Sequence, residues 1–272
     1  MSRVCYLDLD ETLLGHGGGL LRDGTGAFSY ESIRAFAALH AADVPFVLVS
    51  GRRLAELRAI ARMLGADGAL GELGACDAGY PTSNGQNVHQ AIAATGIVET
   101  LLTWTRGDLE PYLPWAIGRE GSHLLVGRAT DDTMELVHTL SRGTLRLVDN
   151  GGVADGRRAY HLLPAGAGKG PAVARDIQRR GAAASSCLGV GDSRADLELL
   201  GVVGLVAIVA NGVDDDPTLA ADAQWVTTAR HGAGVLEAVQ RWLADDPLLR
   251  KLDRGPATCR AEQDARRAPG LS

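Results

Sequence analysis

Short apolar runs alternate with amphipathic helical segments at both ends of this chain, and this alternation constrains the fold more than any other feature. Residues 4–9 and 45–49 have the apolar character of buried strands, and residues 54–64 carry apolar side chains at helical spacing. The alternation resumes with a helix that begins at Lys169 and continues to a helix predicted over 235–243. Strands that alternate with helices predict an α/β protein with a Rossmann-like, doubly wound parallel sheet as its core.

The segment between these two regions has a different pattern. A turn-rich stretch begins it, strand-like and helix-like runs follow, and the sequence Asn-Gly-Gly at 150–152 predicts a turn. We predict a separate α+β unit over residues 80–164, called the insert below, within a core formed by residues 1–79 and 165–245. Residues 246–272 are charged, contain proline and lack periodicity, so we predict a flexible tail there.

Composition excludes several classes of protein. The chain has 272 residues and a net charge of −6, and this acidic balance argues against a general nucleic-acid binder, whose domain would be basic. Its longest apolar stretch, residues 199–210, is shorter than the roughly 20 residues of a membrane-spanning helix. The N-terminus lacks the pattern of a secretory signal, and the four cysteines form no pair at metal-binding spacing. We therefore expect a cytoplasmic protein that binds neither nucleic acid nor a membrane.

The first predicted strand ends in two carboxylates. Asp8 and Asp10 flank Leu9, so in an extended chain both side chains would point to the same side. Two like charges this close are unfavourable unless a cation lies between them, and Mg²⁺ prefers such oxygen ligands. One of the carboxylates could also attack phosphorus to form an aspartyl-phosphate. A helix cap or a local turn is the alternative explanation of the pair.

Polar residues also lie where other predicted strands end or helices begin. Ser50 ends the second strand, and its hydroxyl could bind a phosphate oxygen. Lys169 begins a helix, where a positive charge is unfavourable unless it neutralises an anion. Asp192 and Asp196 follow another apolar strand and, four residues apart, can face the same side. Because ligands bind at the carboxyl ends of parallel strands, these groups together predict a cation and phosphate site. Each group alone could be a turn, a solvated lysine or a helix cap.

These residues form four motifs that resemble, in order, those of the haloacid dehalogenase superfamily of phosphohydrolases. The sequence Asp-Leu-Asp-Glu-Thr-Leu at 8–13 is similar to the first motif, and residues 47–51 are similar to the second. Lys169 corresponds to the third motif and residues 191–196 to the fourth. The resemblance covers the two segments of the predicted core.

The resemblance implies a role for each matched residue. Asp8 would be the nucleophile, and Asp10 would protonate the leaving group and then activate water. Mg²⁺ would be held by Asp8, by the backbone carbonyl of Asp10 and by Asp192, with Asp196 supporting the metal through water or through the lysine. The residues that would bind the phosphoryl group are Ser50, Gly51 and Lys169.

The position of the insert, between the second and third motifs, resembles the second type of cap in this superfamily. Such caps occur in Cof-like enzymes and in sucrose-phosphate and mannosyl-3-phosphoglycerate phosphatases, where a cap excludes water and recognises the leaving group. The resemblance implies a Mg²⁺-dependent phosphatase that hydrolyses a small phosphorylated metabolite, predicted to be a sugar phosphate, through an aspartyl-phosphate. A phosphosugar mutase and a non-catalytic sugar-phosphate-binding protein are the alternatives. The turn Glu-Leu-Gly at 72–74 resembles a Glu-Asn-Gly turn of this branch but lacks its asparagine.

Basic residues and histidines are the candidates for recognising the substrate. Most of them belong to the insert, and one lies beside Ser50 on the core. Exposed arginines are commonly only solvated, and Trp104 and Trp115 suit packing positions better than sugar-stacking ones. The candidate substrate-binding residues are Arg52, Arg119, His123, Arg128 and His161.

Overall fold

The computed structural model describes residues 3–83, 85–153 and 156–245. The tail predicted at 246–272 lies outside the described residues. Within the described ranges the chain forms a parallel sheet from its two outer segments and an antiparallel sheet from its middle. This arrangement confirms the predicted α/β class, with a Rossmann-like core and an inserted α+β unit.

Strands and helices alternate along most of the chain. In chain order the strands are β1 (Cys5–Leu7), β2 (Phe46–Val49), β3 (Gly68–Leu70), β4 (Leu109–Pro111), β5 (His123–Gly127), β6 (Leu145–Gly152), β7 (Arg158–Pro164), β8 (Leu188–Gly191), β9 (Leu205–Ile208) and β10 (Trp225–Val226). The α-helices are α1 (Glu31–Ala41), α2 (Leu54–Leu64), α3 (Val88–Ala93), α4 (Ile97–Thr105), α5 (Asp131–Leu140), α6 (Lys169–Arg180), α7 (Ala210–Asp215), α8 (Leu219–Asp222) and α9 (His231–Ala244). Short 3₁₀ segments include Glu72–Asp77 and Arg194–Leu199.

The parallel sheet has the strand order β10-β9-β8-β1-β2-β3. Neighbouring side chains of a strand point to opposite faces, so Cys5 and Leu7 join one apolar cluster and Tyr6 joins another. Both faces are thereby covered, as a parallel sheet requires. The central order β8-β1-β2 also places three strand ends side by side, and Asp8, Ser50 and the loop after Gly191 follow directly from them.

The antiparallel sheet has the strand order β4-β5-β7-β6, and its two faces have different neighbours. Leu125 and Leu162 lie in an apolar cluster with residues of α3, α4 and α5. Leu163 lies on the opposite face and packs with Leu73 and Ala75 of the core. One face of this sheet is therefore covered by the insert's own helices, while the other face contacts the core.

Local structure departs from regular strands and α-helices in three places. The segment that follows β8 is a 3₁₀ helix, Arg194–Leu199. Strand β3 ends at Leu70, because Glu72 has a φ of 49° and extended pairing cannot continue through it. The turn predicted at 150–152 lies within β6, whose pairing with β7 shifts register between Asp149 and Gly152. Pairing with a neighbouring strand here overrides the local preference of Asn-Gly-Gly for a turn. Among the described helices, none has both the length and the apolarity needed to cross a bilayer.

Candidate active site

Lys169 lies between two carboxylates at the C-terminal edge of the parallel sheet. Its Nζ donates to Oδ1 of Asp8 at 2.6 Å and to Oδ1 of Asp196 at 2.7 Å. All three side chains are buried, so each charge depends on its partners rather than on water. The unfavourable position of a lysine at the start of α6 is explained by these two anions.

A third carboxylate, Asp192, completes a cluster of oxygen atoms. One carboxylate oxygen from each of Asp8, Asp192 and Asp196 lies within 4.8 Å of the other two. Oγ1 of Thr12 donates to Oδ1 of Asp192 at 2.9 Å and so orients this carboxylate. Burial raises the pKa of Asp8 to about 6 against the opposing charge of Lys169, and burial together with the neighbouring carboxylates raises the pKa of Asp192 well above its usual range. Two buried carboxylates and the half-buried Asp192 beside one lysine leave surplus negative charge, and a hard divalent cation suits such an oxygen set.

Asp196 has partners for both of its carboxylate oxygens. Oδ1 accepts the hydrogen bond from Lys169, and Oδ2 accepts from the backbone N and the Oγ of Ser193, at 3.1 and 2.7 Å. The bonds to Ser193 cap the 3₁₀ helix that follows β8. Asp196 is therefore placed to hold Lys169 in position, which is compatible with the supporting role predicted for it.

Asp10 has surroundings different from those of Asp8. Nε of Arg52 donates to its Oδ2 at 2.9 Å and Nη2 donates to its Oδ1 at 2.6 Å, while Nη1 bonds Glu56 at 2.8 Å. The side chain of Asp10 is 48% exposed, against 7% for Asp8. Because β1 ends at Leu7, the strand alternation expected for Asp8 and Asp10 does not extend to Asp10. Its carboxylate lies outside the cluster of three, so a metal contact by Asp10 would come from its backbone carbonyl.

Ser50 and Gly51 follow β2, and the insert contacts them directly. Ser50 is buried, and its Oγ accepts a hydrogen bond from the backbone N of Arg52 at 3.2 Å. Nη1 of Arg119 donates to the carbonyl oxygen of Gly51 at 2.9 Å, and its Nε donates to the carbonyl oxygen of Trp115 at 3.0 Å. Burial lowers the pKa of Arg119. The guanidinium of Arg119 thus joins the insert to the core, and its contact with substrate stays a prediction.

Glu72 also joins the two parts, and the sequence analysis did not identify it as a site residue. Its carboxylate accepts four hydrogen bonds, each 3.0 Å long, from the insert: the backbone N atoms of Glu120, Gly121 and Ser122 and the hydroxyl of Ser122. Glu72 is fully buried. The sequence shows only that the 72–74 turn begins with an acidic residue. The fold is needed to identify the groups that bond its carboxylate.

The other candidate residues of the insert separate into those near the site and those away from it. His161 is fully buried, and its ring faces Gly51. His123 pairs with β7 on the opposite face of the sheet, and its ring stacks on His89 with centroids 3.7 Å apart. Burial and the neighbouring His89 lower the pKa of His123 to about 4. Arg128 is exposed beyond the far end of β5. Strand alternation places His123 on the face opposite His161, and Arg128 lies past the end of β5, so their substrate contact stays a prediction.

Comparisons with known proteins agree with this fold. A sequence model of the haloacid dehalogenase-like hydrolases matches residues 132–239. The chain is 27% identical to a phosphoglycolate phosphatase of Methanothermobacter thermautotrophicus, over 83% of this chain and 95% of that one. It is 30% identical to a phosphoglycolate phosphatase of Halobacterium salinarum, over 80% of this chain and 93% of that one. The solved sucrose-phosphatase of Synechocystis has a TM-score of 0.60 and 18% identity, covering 89% of this chain and 98% of that one.

Similarity that extends over most of both chains is more than a shared fold. The fold is of the α/β class with an inserted second unit. The chain belongs to the haloacid dehalogenase-like hydrolases. It is a phosphatase, as its curated relatives are.

Proposed function

We propose that this protein is a Mg²⁺-dependent phosphomonoester hydrolase that acts on a small phosphorylated metabolite through an aspartyl-phosphate on Asp8. The proposal is carried by the bridge through which Lys169 joins Asp8 to Asp196, beside Asp192. This bridge holds Oδ1 of Asp8 and leaves Oδ2 as the oxygen that attacks phosphorus. It also places a positive charge where negative charge develops on the phosphoryl oxygens.

The reaction consists of two displacements at phosphorus. In the first, Oδ2 of Asp8 forms a bond to phosphorus while the bond from phosphorus to the ester oxygen breaks, and Asp10 gives a proton to the leaving oxygen. In the second, Asp10 takes a proton from water, whose oxygen forms the new bond to phosphorus. The bond between phosphorus and Asp8 then breaks, which releases inorganic phosphate and restores the free carboxylate.

The remaining site residues hold the reacting groups in place. Mg²⁺ would be bound by Asp8, Asp192 and the backbone carbonyl of Asp10, and when bound it neutralises charge on the phosphoryl oxygens. The hydroxyl of Ser50 and the backbone of Gly51 bind the phosphoryl group next to Lys169. The contacts among Lys169, Asp8 and Asp196 support this assignment, because they place a fixed cation at the nucleophile. The proposed metal ligands are therefore Asp8, Asp10 and Asp192.

Two classes of substrate follow from the relatives. The curated relatives are named for phosphoglycolate, and the solved structural neighbour is named for sucrose phosphate. We favour a sugar phosphate and keep phosphoglycolate as the second candidate. The insert acts as a cap over the reacting groups, supported by its contacts with Gly51 and Glu72.

The test is phosphate release from a panel of sugar phosphates, glycerol phosphate and phosphoglycolate, with added Mg²⁺ and with EDTA. Asp8→Asn should abolish release, and the matched control Asp132→Asn, on the exposed side of α5, should leave it unchanged. Release by wild type that survives EDTA would contradict the metal dependence. Equal release by wild type and Asp8→Asn would contradict the nucleophile.

The panel also separates the alternatives to a hydrolase. A phosphosugar mutase would convert a sugar phosphate into its isomer with little phosphate released. A non-catalytic binding protein would bind a sugar phosphate without changing it. Analysis of the sugar products and of the released phosphate in the same reaction therefore distinguishes the three.

A further inference from the structure

Two side chains of the insert, Asn150 and His161, meet the core at Gly51. A Cβ atom at position 51 would lie 2.8 Å from Nε2 of His161, 2.9 Å from Nδ2 of Asn150 and 3.1 Å from its Oδ1. These separations are too short for a side chain, so glycine is required for the insert to approach this closely. Both polar groups therefore lie against the loop that follows Ser50, where the proposed phosphoryl site begins.

The strand register explains why these two residues reach the core. His161 in β7 is paired with Val148 in β6, and paired residues of an antiparallel sheet share a face. Val148 packs with Leu73 of the core, so this face is the one that contacts the core. Asn150 follows two residues later, in the stretch where the register of β6 shifts, and such irregularities redirect side chains. Asn150 is partly exposed, which leaves its amide accessible to a ligand.

Hydrogen bonding fixes which nitrogen of His161 carries the proton. The hydroxyl of Ser122 donates to Oε2 of Glu72 at 3.0 Å, and the same Oγ lies 3.2 Å from Nδ1 of His161. A hydroxyl has one hydrogen, and it is already given to the carboxylate. Nδ1 of His161 must therefore be the donor to Ser122, which leaves a lone pair on Nε2.

That lone pair is buried without a partner. Among the described residues, Nε2 of His161 has no hydrogen-bond partner and is inaccessible to solvent. Burial, together with the charges of Arg119 and Lys169, lowers the pKa of His161 well below its usual range, so the ring is neutral. A buried acceptor without a donor costs about 1–3 kcal/mol. The arrangement is therefore suited to a ligand that supplies a donor.

We propose that Nε2 of His161 and the amide of Asn150 form the subsite that recognises the leaving group, and that this subsite selects phosphate esters carrying a hydroxyl near the ester oxygen. A hydroxyl can donate to Nε2 and accept from Nδ2 of Asn150 at the same time. A carboxylate only accepts, so it would leave Nε2 unsatisfied. The subsite therefore favours polyol and sugar phosphates over phosphoglycolate.

This inference rests on the proposed function. Three small esters can test the subsite separately from the hydrolase activity. 2-Hydroxyethyl phosphate offers the hydroxyl, ethyl phosphate lacks it, and phosphoglycolate has a carboxylate in the same position. We expect the wild-type kcat/KM for 2-hydroxyethyl phosphate to exceed that for each of the other two by about tenfold or more, because a site built to bond a hydroxyl discriminates against analogues without it.

Variants then test the two residues. His161→Phe keeps a ring but removes the acceptor, and it should bring the ratio of kcat/KM for the hydroxyethyl ester to that for the ethyl ester to within about twofold of one. Asn150→Ala, at a partly exposed position, should lower the same ratio. His161→Gln retains an acceptor and should restore part of the preference for the hydroxyethyl ester. His123→Phe is the matched control, the same substitution on the opposite face of the sheet, and should leave the ratio unchanged.

Each outcome has a distinct meaning. A wild-type ratio near one, a preference for phosphoglycolate, or an equal loss on all three esters in the variants would overturn the subsite while leaving the hydrolase intact. Absence of Mg²⁺-dependent phosphate release from every ester and from the wider panel would overturn the proposed function, and the subsite with it.

Discussion

Arg52 holds both carboxylate oxygens of Asp10, through Nε at 2.9 Å and Nη2 at 2.6 Å. The two residues follow adjacent parallel strands, so this bidentate pair connects the ends of β1 and β2. A planar guanidinium fixes the plane of the carboxylate that it binds, which an ammonium cannot do. We therefore propose that Arg52 positions Asp10, while its contact with the substrate stays a prediction.

Arg52→Lys should therefore impair proton transfer more than phosphate binding. We expect kcat for an alkyl phosphate to fall about tenfold or more, while p-nitrophenyl phosphate, whose leaving group needs little protonation, is affected much less. Steady-state kinetics on both esters measure the loss in kcat. Competitive inhibition by inorganic phosphate measures phosphate binding. Arg53→Lys is the matched control on the neighbouring residue. An equal loss on both esters would contradict a role through Asp10.

Removing the charge of Lys169 should destabilise the fold as well as abolish turnover. In Lys169→Met the carboxylates of Asp8 and Asp196 remain buried without their cation, which costs about 3–5 kcal/mol. Urea unfolding in EDTA gives the free energy of unfolding. The control Arg179→Met, on the exposed side of the same helix, should change it by less than about 0.5 kcal/mol. A stable Lys169→Met protein would show that the bridge contributes little to folding.

The four hydrogen bonds to Glu72 should make this residue the main polar contact between core and insert. Glu72→Gln replaces one acceptor oxygen by an NH₂ group that faces backbone N–H donors, and we expect a loss of about 3 kcal/mol in the free energy of unfolding. Glu135→Gln, at an exposed position of α5, is the control and should have little effect on the free energy of unfolding. Denaturant unfolding followed by tryptophan fluorescence measures both. An unchanged midpoint of denaturant unfolding for Glu72→Gln would mean that other contacts stabilise the interface between core and insert.

His123 should make the protein less stable in mild acid. Its pKa falls from 6.5 to about 4 on folding, so as the pH drops below about 6.5 the unfolded chain takes up a proton that the folded protein does not. The associated stability is present at neutral pH and is lost progressively between about pH 6.5 and 4. At pH 5 the loss from this group is roughly 1–2 kcal/mol.

The measurement compares unfolding at pH 7.5 and at pH 5.0. His123→Phe should show a smaller difference between the two conditions than wild type does. His138→Phe, at an exposed position of α5, should keep the wild-type difference. A wild-type difference retained in His123→Phe would assign the acid sensitivity to another group.

The sequence was sufficient for the features that depend on local pattern and strand order. Asp8, Ser50 and Asp192 each follow an apolar run, and parallel strands bring such ends together whatever the details of packing. The same reasoning predicted that Lys169 needs an anion, and the structure supplies two. These predictions held because they require only the alternation of strands and helices.

What the sequence could not predict depends on contacts between distant segments. Glu72 and Ser122 are 50 residues apart, and nothing in either neighbourhood indicates the other. Arg119 has the appearance of a substrate-binding arginine until the fold places it against Gly51. Asn150 lies in a sequence typical of a turn, but in the fold it belongs to β6, between Asp149 and Gly152, which both pair with β7. Register and side-chain direction are set by tertiary packing, which one sequence does not reveal.

The carboxylate of Glu72 receives its hydrogen bonds from three consecutive backbone N–H groups and one hydroxyl. Backbone groups are the same whatever side chains surround them, so this attachment makes little demand on the sequence of the inserted unit. A foreign unit with a loop of the same shape could be exchanged at this junction while the catalytic residues stay in place. Exchange of the inserted unit at this junction could therefore change the substrate preference without changing the catalytic residues of the core.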